Sequence, residues 1–261
     1  MEDNIEVLLS CMNQNDSSII RRSNLEKANV LVINQCRTEN DKFIFLDSRH
    51  RWYLTNTRGL SVSRNLAVDY AKGDYCVLAD DDEVFESDLC EKIENAYSEL
   101  KDADIIVFDV DNHNCKIKKK IHRLKWYELL WVSSVQITFC LKSIKGKVIF
   151  DDKIGSGTEI GAGEDNKFML DSFKKGLKIY YYPATIASLL PSDSQWFKAY
   201  DGDFFYKDCT GNRYVMGLPI AVLYTIKFLL FKRKLYKDSC SFSNALKQSI
   251  RGLKNKDMII K

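Results

Sequence analysis

The sequence YCVLADDDE, residues 75–83, decides the fold class. Its first five residues form an apolar run typical of a buried strand, and Asp80, Asp81 and Asp82 follow that run directly. Three adjacent carboxylates repel one another, so they must be solvated, hydrogen-bonded or bound to a cation. Ligands of open α/β sheets bind at the carboxyl ends of the strands. The stretch therefore predicts a metal and phosphate site at such an edge.

The pattern around this stretch predicts the sheet. Up to about residue 110, short apolar runs alternate with segments of helical periodicity, which is typical of βα units and of a Rossmann-like, mostly parallel sheet. The alternation then loosens, and residues 135–141 predict a strand in a smaller, mixed part of the sheet. A strand over residues 179–182 is expected to end at Pro183.

Composition indicates an ordinary globular protein of enzyme size. The chain has 261 residues, 45% of them hydrophobic, with 12 Gly and only 3 Pro, so it can bury a sizeable core. The first residues are acidic and lack the basic and apolar regions of a signal peptide, which predicts a cytoplasmic protein. None of the 8 Cys forms a Cys-x-x-Cys pair, so reduced, buried thiols are expected rather than zinc ligands or disulfides.

Charge is unevenly distributed along the chain. The net charge is +3, but residues 207–261 carry 12 Lys and Arg against 3 Asp. Within this basic segment, residues 217–231 are mostly apolar and Lys227 interrupts them, which argues against a transmembrane helix. An interfacial helix on an anionic membrane surface fits this pattern. A core helix packed against the rest of the protein is the alternative.

Three separated motifs carry polar side chains suited to catalysis: GLSVSRN at residues 59–65, ADDD at 79–82 and GAGED at 161–165. The stretch FDDKIGSG, residues 150–157, precedes the third motif. In this order and spacing the motifs resemble those of the family 2 glycosyltransferases, which have the GT-A fold. The resemblance extends over residues 5–190.

The resemblance implies an α/β protein that transfers a sugar from a nucleotide-sugar donor with inversion, assisted by Mn²⁺ or Mg²⁺. The chain would then divide into a GT-A catalytic domain, residues 1–206, and a basic, partly apolar helical extension, residues 207–261. Within the catalytic domain, residues 1–110 would bind the nucleotide sugar and residues 111–206 the acceptor.

The third motif supplies the predicted catalytic residues. Asp165 matches the family's catalytic base, and Glu164 is expected to assist it by positioning the acceptor. A carboxylate within hydrogen-bond reach can take the proton that an attacking hydroxyl loses. Acceptor binding is expected from Gly163, Glu164 and Trp196. Alternatively, Glu164 and Asp165 are acids that only complement the dipole of the helix predicted over residues 164–175.

The acidic turn matches the family's DxD motif, which contacts the donor ribose and, through the cation, the diphosphate. We expect Asp82 and Asp80 to bind the metal, with Asp80 also on the ribose and Asp81 beside it. The common family form would place its first Asp at Ala79, so which Asp binds the cation stays open. A solvated acidic turn without a ligand is the alternative reading.

The other donor contacts are expected near the ends of the first strands. Asn34 and Gln35 stand where the family has an Asp that recognises a uracil edge. Either the amide group of Asn34 or Gln35 would replace it, or the base would be held otherwise, with UDP as the expected nucleotide. Arg64 suits the donor phosphates, although a salt bridge to the acidic turn is nearly as plausible. The predicted donor-binding residues are Ser10, Met12, Asn13, Asn34, Gln35, Arg64, Asn65, Asp80 and Asp81.

Together these observations predict an inverting glycosyltransferase of bacterial capsule or other surface polysaccharide synthesis. It would move a hexose or N-acetylhexosamine from a UDP-sugar to a saccharide acceptor, which a lipid diphosphate could carry. We expect no nucleic-acid partner and a position at the cytoplasmic face of the membrane. A nucleotidyltransferase and a catalytically silent scaffold of a polysaccharide assembly complex are the alternatives.

Overall fold

Ten strands form one continuous sheet in the computed structural model, which describes residues 4–113, 116–190 and 199–256. The spatial order is β3-β4-β2-β1-β5-β9-β7-β10-β6, and β8 pairs with β10 outside this path. The strands are β1 (Ile5–Met12), β2 (Asn29–Gln35), β3 (Lys42–Phe45), β4 (His50–Thr55), β5 (Tyr75–Ala79), β6 (Glu83–Phe85), β7 (Ile105–Asp111), β8 (His122–Arg123), β9 (Ile137–Cys140) and β10 (Ile179–Leu189).

The predicted fold class is confirmed. β4, β2, β1 and β5 are mutually parallel, and nearly every residue of β1, β2 and β5 is buried, as expected for parallel strands covered on both faces. β9 is antiparallel to both of its neighbours, β5 and β7. The predicted mixed part therefore continues the parallel part as a single sheet.

Helices cover both faces of the sheet. One apolar core packs α2 and α5 against the sheet, and a second packs α1 and α3 against the opposite face. The helices are α1 (Ser18–Arg22), α2 (Leu60–Tyr70), α3 (Leu89–Glu99), α4 (Leu141–Ile144), α5 (Glu164–Lys174), α6 (Gly202–Met216), α7 (Leu218–Phe231), α8 (Arg233–Tyr236) and α9 (Phe242–Lys254).

The expectation that a strand ends at Pro183 is wrong. β10 continues through Pro183 to Leu189, and its register with β7 shifts on either side of Thr185. Such irregularities accommodate a proline, which has no N–H to donate to the ladder. The far end of β10 pairs with β6, where Leu189 lies opposite Glu83. The extra length of β10 therefore pairs with β6, the strand that directly follows the acidic turn.

The C-terminal helices form a compact unit that contacts the sheet domain. α6 packs against α9 and α7, and it also borders α5. α9 approaches α6 closely at Gly252, where an added Cβ would lie 2.3 Å from the carbonyl oxygen of Tyr206. The predicted boundary at residues 206/207 falls inside α6, because the helical segment begins at Gly202. In the described part of the chain, no helix has both the length and the apolar character needed to cross a bilayer.

Candidate active site

Arg64 is the centre of a cluster of carboxylates that come from distant parts of the sequence. Its side chain is 2% exposed. One guanidinium nitrogen, Nη2, lies 3.1 Å from Oδ2 of Asp80, and the other, Nη1, lies 2.5 Å from Oδ1 of Asp165. Nη1 is also 3.6 Å from Oε1 of Glu164. The structure therefore brings the second and third motifs together around one residue of the first.

Local structure explains why these side chains meet. Asp80 follows β5 at its carboxyl end, and Asp165 lies in the first turn of α5. Arg64 is in the second turn of α2, which packs against the same face of the sheet as α5. Burial alone would lower the pKa of Arg64, but the charges of Asp165, Asp80 and Glu164 outweigh burial and raise that pKa above its usual value. The expected salt bridge to the acidic turn is present.

Asp165 is held by two donors. Its Oδ1 accepts from Arg64, and its Oδ2 accepts from the backbone N–H of Ser134 at 2.9 Å. The hydroxyl of Ser134 also donates to Oδ2 of Asp80 at 3.2 Å. Sequence reasoning missed Ser134. The one signal that pointed to this turn is the Ser133 to Gln136 spacing, which forms a capping box here.

Glu164 precedes Asp165 in the first turn of α5 and is buried, with 6% of its surface exposed. Burial and the charge of Asp165 raise the pKa of Glu164 to about 7, and Arg64 opposes this rise. Gly155, at φ +104°, closes on Glu164 so tightly that an added Cβ would lie 2.9 Å from its carboxyl carbon. This burial argues against the predicted contact between Glu164 and the acceptor and favours a role in holding Arg64.

The acidic turn is partly solvated. Partial desolvation and the charges of Asp80 and Asp82 raise the pKa of Asp81. Glu83 is buried, and its Oε1 accepts from the backbone N–H of Asp80 at 3.0 Å. Burial, with the charges of Asp80 and Asp82, raises the pKa of Glu83 well above its ordinary value. Glu83 therefore supports the turn from inside the protein.

The turn offers oxygen ligands and crowded negative charge, which suit Mg²⁺ or Mn²⁺. Within residues 4–113, 116–190 and 199–256, no three His, Cys, Asp or Glu side chains form a group that could hold a metal ion. Mg²⁺ is commonly held by only one or two carboxylates, with water and substrate phosphates completing its shell. Asp82 and Asp80 are compatible with that kind of site.

Two predicted base-recognition residues bind the protein itself. Asn34 is fully buried, and its amide exchanges hydrogen bonds with the backbone N–H and carbonyl of Gln14, at 3.1 and 2.8 Å. Gln35 donates to the carbonyl of Gly59 at 3.1 Å. These amides hold the loops after β1 and before α2, which argues against the prediction that they recognise the nucleobase.

The remaining donor candidates separate into buried and exposed residues. The hydroxyl of Ser63 donates to that of Ser10 at 2.8 Å, so Ser10 ties β1 to α2. Asn65 exchanges two hydrogen bonds of 2.8 Å with the backbone of Phe150. Met12 and Asn13 are exposed at the carboxyl end of β1. Together with Asp80 and Asp81 of the acidic turn, these two residues keep surface accessible to a ligand.

Of the predicted acceptor residues Gly163 and Trp196, the structure describes only Gly163. Gly163 is the N-cap of α5 and has a left-handed backbone, φ +101°, a conformation that disfavours any residue with a side chain. Trp196 lies outside the described residues.

Residues 5–156 match the sequence profile of the family described as glycosyl transferase family 2. The chain belongs to glycosyltransferase family 2. The match spans more than half of this glycosyltransferase and includes Arg64 and the acidic turn, whereas Asp165 lies beyond it. Among curated protein sequences, none matches the chain.

Solved structures share the fold of this glycosyltransferase over nearly its whole length. Residues 1–349 of S. aureus TarS are 13% identical to it and superpose with a TM-score of 0.61, over 96% of this chain and 81% of TarS. The complex of that protein with UDP gives 13% identity and a TM-score of 0.60, over the same shares. Its complex with UDP-GlcNAc gives 12% identity and 0.63, over 95% and 79%. At this level of identity the likeness concerns the fold.

Proposed function

We propose that this glycosyltransferase moves a hexose or N-acetylhexosamine from a UDP-sugar to a saccharide acceptor, with inversion at the anomeric carbon. The observation that carries the proposal is the bridge made by Arg64 between Asp80, at the end of β5, and Asp165, at the start of α5. The buried guanidinium of Arg64 thereby pairs with two carboxylates, that of Asp80 in the acidic turn and that of Asp165, the candidate base. The complexes of TarS with UDP and UDP-GlcNAc support a UDP-sugar as donor.

Asp165 is the proposed base. The acceptor oxygen attacks the anomeric carbon, the bond from that carbon to the diphosphate oxygen breaks, and UDP departs with the electron pair. The acceptor's proton passes to the carboxylate of Asp165. Arg64 and the N–H of Ser134 fix both oxygens of this carboxylate, so its direction is set before substrates bind.

Asp82, together with Asp80, is the proposed site for Mn²⁺ or Mg²⁺. Such a cation would offset the negative charge that the diphosphate gains as the glycosidic bond breaks. Asp80 and Asp81 would also contact the donor, with Asp80 on the ribose. Met12 and Asn13, which are exposed at the end of β1, would border the nucleotide.

The acceptor would be a saccharide carried on a lipid diphosphate, as in bacterial capsule or other surface polysaccharide synthesis, at the cytoplasmic face of the membrane. The support is a set of exposed apolar side chains on α7 and α9, which we name the C-terminal apolar face. Lys and Arg residues lie near these side chains in sequence and would attract anionic lipid. The face comprises Leu223, Ile226, Leu230, Phe231, Phe242, Leu246 and Ile250, and the basic residues near it in sequence are Lys227, Lys232, Arg233, Lys234, Lys247 and Arg251.

Turnover of a UDP-sugar tests the proposed chemistry. In the presence of Mn²⁺, the purified protein is expected to release UDP from UDP-GlcNAc or a UDP-hexose, with little release from GDP- or dTDP-sugars. EDTA should abolish the release, and added Mn²⁺ should restore it. A coupled assay for UDP measures all of these. Release of pyrophosphate from UTP would instead indicate a nucleotidyltransferase, and a protein that neither binds UDP nor turns over would indicate a scaffold.

Vesicle binding tests the membrane proposal. The protein is expected to sediment with vesicles containing phosphatidylglycerol and to remain in solution with pure phosphatidylcholine. Phe231→Asp, at a side chain 77% exposed on α7, should weaken binding by about tenfold or more, because burying one Phe is worth about 1.5–3 kcal/mol. Phe45→Asp is the matched control, since Phe45 is 66% exposed on the edge strand β3. Equal binding of both variants to anionic vesicles would contradict the proposal.

A further inference from the structure

A cavity of about 420 Å³ lies between the C-terminal helices and the loop that leads into α5. Its walls come from residues 160–163 and Asn166 on one side and from α6 and α7 on the other. Gly211 lets these parts approach each other, because a Cβ there would lie 2.8 Å from Cγ2 of Ile160. The cavity is therefore formed by helices that the sequence pattern assigned to a separate extension.

The cavity borders the helix turn that carries the proposed base, and neither Glu164 nor Asp165 is among its lining residues. Gly163 and Asn166, the residues on either side of Glu164 and Asp165, both line it. The wall is rigid there, because Asn166 donates to the backbone carbonyls of Leu129 and Val132, at 3.2 Å each. A molecule in the cavity would rest against the first turn of α5.

One polar pair in the cavity has no role in the fold or in the proposed chemistry described above. Asp208 and Asn212 are one turn apart on α6, and the Asn212 amide donates to Oδ2 of Asp208 at 2.9 Å. Burial raises the pKa of Asp208 to about 6. Among the described residues, no Lys, Arg or His forms an ion pair with Asp208. Asp208 is partly exposed at the cavity wall, so its carboxylate is open to a hydrogen-bonding ligand in the cavity.

The other acidic residues of the cavity are satisfied within α6. Asp201 caps the helix by accepting from the N–H of Phe204 at 2.9 Å, and Asp203 pairs with Lys207 at 2.8 Å. The three Asp side chains outweigh the one Lys, so the cavity disfavours a phosphate group. Phe204 and Tyr224 add aromatic surface. The cavity therefore combines aromatic and aliphatic surface with several polar side chains, which suits a small uncharged ligand that has both hydroxyl groups and apolar faces.

We infer that this cavity is the subsite for the acceptor sugar, in which Asp208 and Asn212 accept and donate hydrogen bonds to the hydroxyls of an uncharged saccharide ring. The inference rests on the proposed function, and it adds the residues that recognise the acceptor and the expectation that the sugar they bind is uncharged. A lipid diphosphate attached to this sugar would lie outside the cavity.

Substitution of Asp208 tests the inference. The probes are p-nitrophenyl hexosides and N-acetylhexosaminides as neutral acceptors and glycerol phosphate as a charged one, with UDP-GlcNAc as donor. At least one neutral glycoside is expected to bind and accept sugar, and glycerol phosphate is not. Asp208→Asn should raise KM for that glycoside about 10- to 100-fold, since hydrogen bonds to charged groups contribute about 1.5–3 kcal/mol. KM for UDP-GlcNAc and the release of UDP to water should change by no more than about twofold.

Two further variants guard against a folding defect. Asp238→Asn alters an exposed Asp outside the cavity lining and should leave both KM values unchanged. Ala162→Phe, at an exposed position of the cavity wall, should block acceptor use while UDP release to water continues. Transfer to glycerol phosphate alone, or an unchanged acceptor KM in Asp208→Asn, would overturn the inference and leave the proposed function intact. Absence of both UDP binding and UDP release in the unmodified protein would overturn both.

Discussion

Asp165→Asn is expected to lower the rate of sugar transfer by about 10²- to 10⁴-fold, the usual contribution of a general base. The substitution keeps the size of the side chain but removes its ability to take the acceptor's proton. UDP binding should persist, because Asp80, Asp81 and Asp82 are unchanged. The measurement pairs initial rates of UDP release in the presence of acceptor with UDP affinity by calorimetry.

The substitution also has a structural effect that the experiment must separate. The two oxygens of Asp165 accept from Arg64 and from the N–H of Ser134, and the Asn amide can accept at only one of them. Some loss of stability is therefore expected, and unfolding of each variant should be measured beside its activity. Asp171→Asn is the matched control, because Asp171 lies on α5 and pairs with Lys167 and Lys174. A fully active Asp165→Asn protein would remove Asp165 from the base role.

The parts of the site that sequence predicts are those encoded by short segments. An apolar run followed by three Asp residues specifies both a strand and an acidic turn, and the Gly-rich approach to Glu164 and Asp165 specifies a helix start. Because strands of a parallel sheet end at one edge, such segments can be expected to meet. The contact of Arg64 with Asp80 and Asp165 agrees with that expectation.

The parts that sequence does not predict depend on contacts between distant segments. Asn34 and Gln35 have amides suited to a nucleobase. In the structure, however, Asn34 donates to the carbonyl of Gln14 and Gln35 to that of Gly59. Ser134 joins the two key carboxylates through a turn with no acidic or basic residue to mark it. Asp208 becomes part of a cavity only when α6 packs against the loop before α5. No short sequence pattern predicts these contacts between distant segments.

Removal of the Arg64 charge is expected to have the largest effect on stability. Arg64→Met would leave Asp80, Glu164 and Asp165 close together without their shared cation. Breaking a buried ion pair in this way commonly costs about 3–5 kcal/mol, because an uncompensated charge remains inside the protein. Urea denaturation should show a fall of that size in the free energy of unfolding. Arg58→Met is the control: Arg58 is exposed just before α2 and donates to the backbone carbonyls of Asn56 and Thr57, so a change within about 0.5 kcal/mol is expected.

A second substitution identifies the cause of that loss. If repulsion among the three carboxylates destabilises Arg64→Met, then adding Asp80→Asn should recover part of the lost free energy, since one of the opposing charges is gone. Simple loss of packing around the Arg64 side chain predicts no recovery, because Asp80→Asn leaves unfilled the space that the guanidinium occupied. In the protein that keeps Arg64, Asp80→Asn alone should lower the free energy of unfolding, because it removes a partner of Arg64. A change of sign between these two backgrounds would show that Arg64 stabilises the fold by neutralising the carboxylates that it holds together.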